Sequence, residues 1–242
     1  MRGSHQDQDP EDSVRAKEEN GLEINNRIIR HYLKNVYFIN GTAYAGKSTM
    51  VAMLAEKYGM IERGENYHFP VTGQLATPEE YPNLCYFETM KDWQEFLNRT
   101  PEDYAKWIEE TSNELIGFEI AELMHISKDR KVIVDTSIPP EVLKKIADHH
   151  QVAIMLSPQS MSVDRFFDRG DQDKQFLLSH IQQAEDPEKT MENFRECIAR
   201  VNSRESYEKF LNSGFFTIVR EENGEDTREE TLEALAKHFR LE

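Results

Sequence analysis

Short apolar runs alternate with amphipathic stretches along most of this chain. Residues 36–40 (VYFIN), 131–135 (KVIVD), 152–156 (VAIML) and 215–219 (FFTIV) have the length of buried strands and are too short for buried helices. Residues 60–69 (MIERGENYHF) hold a further short strand and its exit loop. Between these runs the apolar positions recur at helical spacing. Residues 22–34 place Leu22, Ile28, Ile29 and Leu33 on one side of a short helix, and residues 48–58 form another that Gly59 is placed to end. Residues 89–98 read as a helix, whereas residues 70–88, rich in proline, threonine, glycine and aromatics, read mostly as loop. Thr100-Pro101-Glu102-Asp103 combines a capping residue, an N1 proline and first-turn acids, so a long helix runs from there to about Ser127. Further helices are predicted from Pro139-Pro140-Glu141 to about His149, from Ser162 to Arg169, from Pro187 to about Asn202 and over 228–239, the last behind a Thr227–Glu230 capping box. Strand and helix in alternation predict an α/β fold: a parallel five-stranded sheet with helices on both faces, three layers in all. Ligands of such a sheet sit beyond the C-terminal ends of its strands.

The chemistry enters at the first of those ends. Gly41-Thr42-Ala43-Tyr44-Ala45-Gly46-Lys47-Ser48-Thr49 fits G-x-x-x-x-G-K-[ST], with a strand before it and a helix after it. Glycines let backbone N–H groups close around phosphate oxygens, and the helix N-terminus faces the anion. Lys47 then reaches the β- and γ-phosphates of ATP, and the Ser48 hydroxyl is placed to ligate Mg²⁺. Asp135 ends an apolar strand, where a second acid holds the metal directly or through water, or else contacts the acceptor. Glu65 follows the second strand, and its carboxylate is a candidate to accept a proton from an acceptor hydroxyl; Glu62 and His68 are neighbouring candidates. Arg165 and Arg169 share one helix face, and a polar segment at about 165–187 has the composition of a mobile lid that brings cations to the transferred phosphate. Arg195, Arg200 and Arg204 form a second basic series.

These residues resemble the small-molecule and nucleotide kinases of the P-loop class, shikimate kinases most closely. The resemblance runs in order over residues 36–240. It is carried by the glycine loop, by Arg165 with Lys174-Gln175-Phe176-Leu177-Leu178, by Arg204-Glu205-Ser206-Tyr207 and by the final strand, acidic turn and Thr-x-x-Glu-Thr-Leu. It implies that Arg165 lies against the adenine, that Lys174 or Arg169 touches the transferred phosphate, that Arg204 faces the acceptor or the phosphates, and that the turn at 221–227 borders the base. Chloramphenicol phosphotransferases and nucleoside kinases are similar in general plan. The departures concern the acceptor. Asp135-Thr136-Ser137 stands where shikimate kinases carry three glycines, Glu65 replaces an Asp-x-Asp, and an acceptor-side insertion occupies about 66–130.

Composition narrows the partners. The 242-residue chain has a formal net charge of −16, which excludes the basic footprint of non-specific nucleic-acid binding. No apolar run has the length of a membrane span, and Cys85 and Cys197 match neither a disulfide framework nor a metal spacing, so a cytoplasmic protein is expected. His149-His150 reads as an exposed helix end. Met1-Arg2-Gly3-Ser4-His5 resembles a vector leader, residues 6–20 have a disordered composition, and Leu241-Glu242 reads as a cloning remnant; residues 21–242 form one kinase domain on this reading. Few cations lie in 66–130, so the expected acceptor is a neutral or cationic small molecule, with nucleoside monophosphates as the alternative. A nucleotide-dependent switch or ATPase acting with a macromolecule is the other class, although no Asn-Lys-x-Asp guanine motif is present. The aromatics Tyr67, Tyr81, Tyr86, Phe87, Trp93 and Trp107 serve either as core or as a stacking wall.

Overall fold

The computed structural model describes residues 24–164, 166, 172–221 and 226–241. The five strands are β1 (Val36–Gly41), β2 (Ile61–Arg63), β3 (Val132–Asp135), β4 (Val152–Leu156) and β5 (Phe216–Val219). They form one all-parallel sheet in the order β2-β3-β1-β4-β5. The helices, in chain order, are α1 (Asn26–Tyr32), α2 (Lys47–Tyr58), α3 (Phe69–Leu75), α4 (Tyr86–Thr89), α5 (Trp93–Leu97), α6 (Pro101–Ile126), α7 (Pro140–Ile146), α8 (Gln159–Asp164), α9 (Gln172–Gln182), α10 (Pro187–Val201), α11 (Arg204–Leu211) and α12 (Arg228–His238).

Side chains of successive strand residues point to opposite faces, and this alternation divides the core. Tyr37, Ile39, Ile133, Ala153 and Met155 pack with Leu54 of α2 and with Leu235 and Phe239 at the C-terminal end of the chain. Val36, Phe38, Val134, Val152 and Ile154 pack on the other face with Leu123 of α6 and Leu143 and Ile146 of α7. Each fully buried Val, Leu, Ile or Phe among them contributes about 2 kcal/mol from removal of apolar surface from water. The loop leaving β1 therefore leads to α2 on one face, and the loop leaving its neighbour β3 leads to α7 on the other. That divergence opens a crevice at the C-terminal end of β1, where doubly wound sheets bind ligands.

Helix α6 is the longest element and links two cores. Thr100 caps it by accepting a hydrogen bond from the Asp103 amide, with Pro101 in its first turn. Its second half lies on the sheet through Leu123. Its first half joins a satellite cluster of Phe96, Leu97, Tyr104, Ile181, Phe194 and Ile198. Trp93, Trp107 and Tyr86 pack against that cluster, so most of the insertion's aromatics are core. Phe87 is an exception, at 45% exposed.

Several local expectations change. Residues 70–88 are not all loop: α3 and α4 lie there, too short to show a periodicity in sequence. The helix expected over 89–98 begins only at Trp93, where Asp92 accepts from the Gln94 and Glu95 amides. Helix α7 stops at Ile146, and His149–Gln151 is a 3₁₀ turn closed by reciprocal Asp148–Gln151 hydrogen bonds. The Thr227 capping box does not form; the Asp226 carboxylate accepts from the Arg228 amide instead. Leu241 packs in the core beside Phe239, so it belongs to the fold. Residues 1–20, Arg165 and Arg169 lie outside the described residues, and the described part of 165–187 holds α9 and the first residue of α10. Among the described residues, no helix is long and apolar enough to cross a membrane.

Two glycines with positive φ separate conformational strain from close packing. Gly59 (φ +61) ends α2 in open space, whereas a Cβ on Gly41 (φ +132) would lie 1.9 Å from the Met155 carbonyl oxygen. Gly59→Ala is expected to cost about 1 kcal/mol. Gly41→Ala is expected to cost at least about 3 kcal/mol, a fall in Tm of roughly 6–12 °C, or to prevent folding altogether. Thermal unfolding of the two variants side by side checks the contrast.

Candidate active site

The close approach of Gly41 to Met155 starts the loop against β4 rather than in solvent. The Thr42 amide donates to the Met155 carbonyl at 3.1 Å. Ser157, just past β4, donates its amide to Thr42 Oγ1 at 2.7 Å and its hydroxyl to the Ala43 carbonyl at 2.6 Å. Arg220, just past β5, donates to the Tyr44 carbonyl at 2.9 Å. The loop is thus tied down from two strand ends. Tyr44 has φ +64 and Gly46 φ +89, left-handed conformations that curl the chain so that its amides converge. No side chain caps α2 behind Gly46. The first-turn N–H groups and the helix dipole therefore face the concave side of the loop, where they favour an anion.

Lys47 and Ser48, in the first turn of α2, meet Asp135 at the end of β3. The parallel register pairs Asp135 with Ile39, two residues before the loop, which sets the distance. Ser48 Oγ donates to Asp135 Oδ2 at 3.0 Å. Lys47 Nζ lies 3.7 Å from Asp135 Oδ1 and donates to the Thr42 carbonyl at 3.2 Å. Asp135 is 4% exposed. Burial pushes its carboxyl above the usual range, the Lys47 ammonium opposes that, and the charge of Glu65 adds to it. Glu65 itself is exposed in the turn after β2, so the second carboxylate stands within electrostatic reach of the first. Among the described residues no group of three or more His, Cys, Asp or Glu side chains forms a metal cage. Ser48 and Asp135 fit the other kind of site, in which Mg²⁺ takes one or two protein oxygens and completes its shell with phosphate oxygens and water.

A cavity of about 680 Å³ opens beside the loop, lined by Ala45, Gly46, Thr49, Met155, Ile218 and Arg228 among others. Its size suits a nucleotide-sized ligand. From the lid region, Lys174 at the start of α9 holds its ammonium 5.5 Å above the Tyr44 ring. Helix α9 is also fastened to the insertion: Gln94 donates to the His180 carbonyl at 3.0 Å, and Trp93 stacks on the His180 ring.

The remaining expected residues fall in different places. His68 is 3% exposed, with neither ring nitrogen hydrogen-bonded, and burial lowers its pKa. Arg204 is exposed at the start of α11 and ion-pairs with Glu208 at 2.7 Å instead of reaching toward the loop. Arg195 and Arg200 are exposed on α10. The sequence reading missed Glu119. Buried within α6, this carboxylate accepts from Thr136 Oγ1 at 2.7 Å and Ser137 Oγ at 2.9 Å, the two residues that follow Asp135. Tyr67 donates to it at 3.5 Å. Its signal lay in the spacing: Leu115, Glu119 and Leu123 are four apart, so the acid occupies a buried stripe.

Compared with known proteins, the chain matches no protein-family model and no curated protein sequence.

The raised pKa of Asp135 gives a signed expectation. A carboxyl that titrates higher in the folded than in the unfolded state contributes stability present below its unfolded value and lost as pH rises through its folded value. Asp135→Asn removes that loss. The difference in Tm, variant minus wild type, is expected to be more positive at pH 8 than at pH 4 in thermal unfolding scans. A difference that shrinks with rising pH would mean that the Lys47 pairing outweighs burial.

Proposed function

We propose that the protein is an ATP- and Mg²⁺-dependent kinase that transfers a γ-phosphoryl group to a hydroxyl of a neutral or cationic small molecule. The convergence of Lys47 and Ser48 on Asp135, at the mouth of a glycine loop that opens a helix, carries this reading. In it, loop amides and the α2 N-terminus hold the phosphates, and Lys47 turns from Asp135 to the β- and γ-phosphate oxygens. Ser48 and Asp135 would hold Mg²⁺, which neutralises charge on the phosphates. Asp135 or Glu65 orients the acceptor hydroxyl and receives its proton, the exposed Glu65 having the freer access to a bound acceptor. The cavity beside Ile218 and Arg228 would take the adenine base. Lys174, with Arg165 and Arg169, supplies cations from the lid side.

Charge on the insertion supports the choice of acceptor. The guanidinium of Arg99 lies 3.9 Å from the Tyr86 ring centroid and within cation–π range of Trp107, and Lys106 pairs with Glu110. Lys128, Arg130 and Lys131 precede β3, at the opposite end of the sheet from the loop. Recognition of a monophosphate needs convergent arginines, and those of the insertion are engaged in other contacts or placed elsewhere.

The test is ADP release from Mg-ATP against nucleosides, nucleoside monophosphates, polyols and aminated sugars, for wild type and Lys47→Ala together. Wild type is expected to show acceptor-dependent turnover with a hydroxyl compound. Lys47→Ala should lose at least about a hundredfold while keeping its circular dichroism spectrum. Tight nucleotide binding without turnover on any acceptor would favour an ATPase driven by a macromolecular partner. Turnover restricted to the monophosphates would overturn the choice of a neutral or cationic acceptor.

A further inference from the structure

Asp135 is the last residue of β3, so its direction depends on the backbone that follows it. That backbone is tied to a buried carboxylate. The two oxygens of Glu119 accept from successive hydroxyls, Oε2 from Thr136 at 2.7 Å and Oε1 from Ser137 at 2.9 Å. Thr136 passes the restraint on: its Oγ1 accepts from the Ile138 amide at 3.1 Å, while its own amide donates to the Ile39 carbonyl at 3.0 Å. Asn40, at the other side of the crevice, donates to the Ile138 carbonyl at 2.7 Å. The chain thus leaves β3 through a closed set of hydrogen bonds that reaches from α6 to β1.

Glu119 is 2% exposed, and among the described residues no cation hydrogen-bonds to its carboxylate. Burying a carboxylate without a cation costs free energy that hydrogen bonds only partly offset, and its pKa is raised for that reason. A glutamine or an apolar residue on this stripe would be less costly to bury. The cost is explicable if the charge serves to orient two hydroxyls at once, since charge-assisted hydrogen bonds are the stronger kind.

We propose that Glu119 is a positioning residue, which holds Thr136 and Ser137 so that the Asp135 carboxylate meets Ser48 and Lys47. This rests on the kinase reading for its consequence and on the geometry alone for its mechanism, so two measurements separate them. The first needs no ligand: amide hydrogen exchange at Thr136 and Ile138. In Glu119→Ala these amides are expected to exchange at least about tenfold faster, with the mid-sheet Phe38 amide unchanged. The second is calorimetric binding of a non-hydrolysable ATP analogue with and without Mg²⁺. Glu119→Ala should lose at least about fivefold of the Mg²⁺-dependent gain in affinity, while affinity without Mg²⁺ stays within about twofold. Glu119→Gln, which keeps one acceptor and the shape, should restore most of it.

Asp135→Asn should remove the same gain, and the double variant Glu119→Ala/Asp135→Asn no more than Asp135→Asn alone, because one residue acts through the other. Additive losses, or unchanged exchange at Thr136 and Ile138, would overturn the inference. Should Glu119→Ala fail to fold, Ser137→Ala at its exposed position deletes one of the two bonds from the loop side. It should lose about twofold of the Mg²⁺ gain, and no loss would count against the proposal. A wild type that binds no nucleotide sinks the kinase reading alone, and the exchange measurement then decides the role of Glu119.

Discussion

A carboxylate taken almost wholly out of water must be compensated, and Asp135 is the one around which this molecule is arranged. At 4% exposure its solvation is gone, and a hydroxyl and an ammonium from the first turn of α2 stand in for it. Neither would be in reach without three prior conditions. Strands β1 and β3 must be neighbours in parallel register; α2 must start within a few residues of β1; and the connecting loop must turn tightly enough for Lys47 to fold back toward β3. Gly41 meets the last condition by lying against the Met155 carbonyl, where no side chain fits. The sheet order, the loop and the chemistry are thus aspects of a single constraint. The raised pKa of Asp135 means that these two groups compensate its burial only in part. On the proposed kinase reading, a cation between Asp135 and bound phosphates would add to that compensation.

The insertion at about 66–130 is organised differently, by packing. Helix α6 lies on the sheet at one end and in the satellite core at the other, so the helices of the insertion are anchored to it rather than to the strands. Helix α9 joins that same body through Trp93, His180 and Gln94, while Lys174 at its start stands over Tyr44. One element thereby touches both the glycine loop and the insertion. On the proposed kinase reading, these direct contacts would couple α9 to both the nucleotide and the acceptor.

The fold was largely legible because its signals are local. Apolar runs of four or five residues, a proline at the start of α6 and glycine after α2 each report on a single element. The five strands were found, and their parallel arrangement follows from alternation with helices. The glycine loop was legible for the same reason, since all its residues are contiguous. What sequence did not show is non-local or too short. Helices α3 and α4 carry no full apolar period, and Arg204 has the same sequence neighbourhood whether it turns toward the crevice or, as here, to Glu208. Glu119 stands 16 residues before Asp135 in the chain. Only the docking of α6 against the end of β3 brings it under Thr136 and Ser137.

The net charge of −16 sets a final condition on how such a site can work. A polyanionic nucleotide approaching this surface meets a repulsive field at long range, so electrostatic steering over the whole molecule gives no help. At physiological salt that field decays over about 8 Å, which leaves affinity to donors in direct contact. The structure concentrates them accordingly: a helix N-terminus without a side-chain cap, Lys47, and Arg220 beside the loop. Acids occupy the ground around them, Glu65 and Asp135 on one side and Glu221 and Glu230 on the other. A divalent cation arriving with the nucleotide reduces the repulsion from both sets. On the proposed kinase reading, the charge distribution of the whole chain would therefore favour the metal complex over the free nucleotide, as Ser48 and Asp135 would.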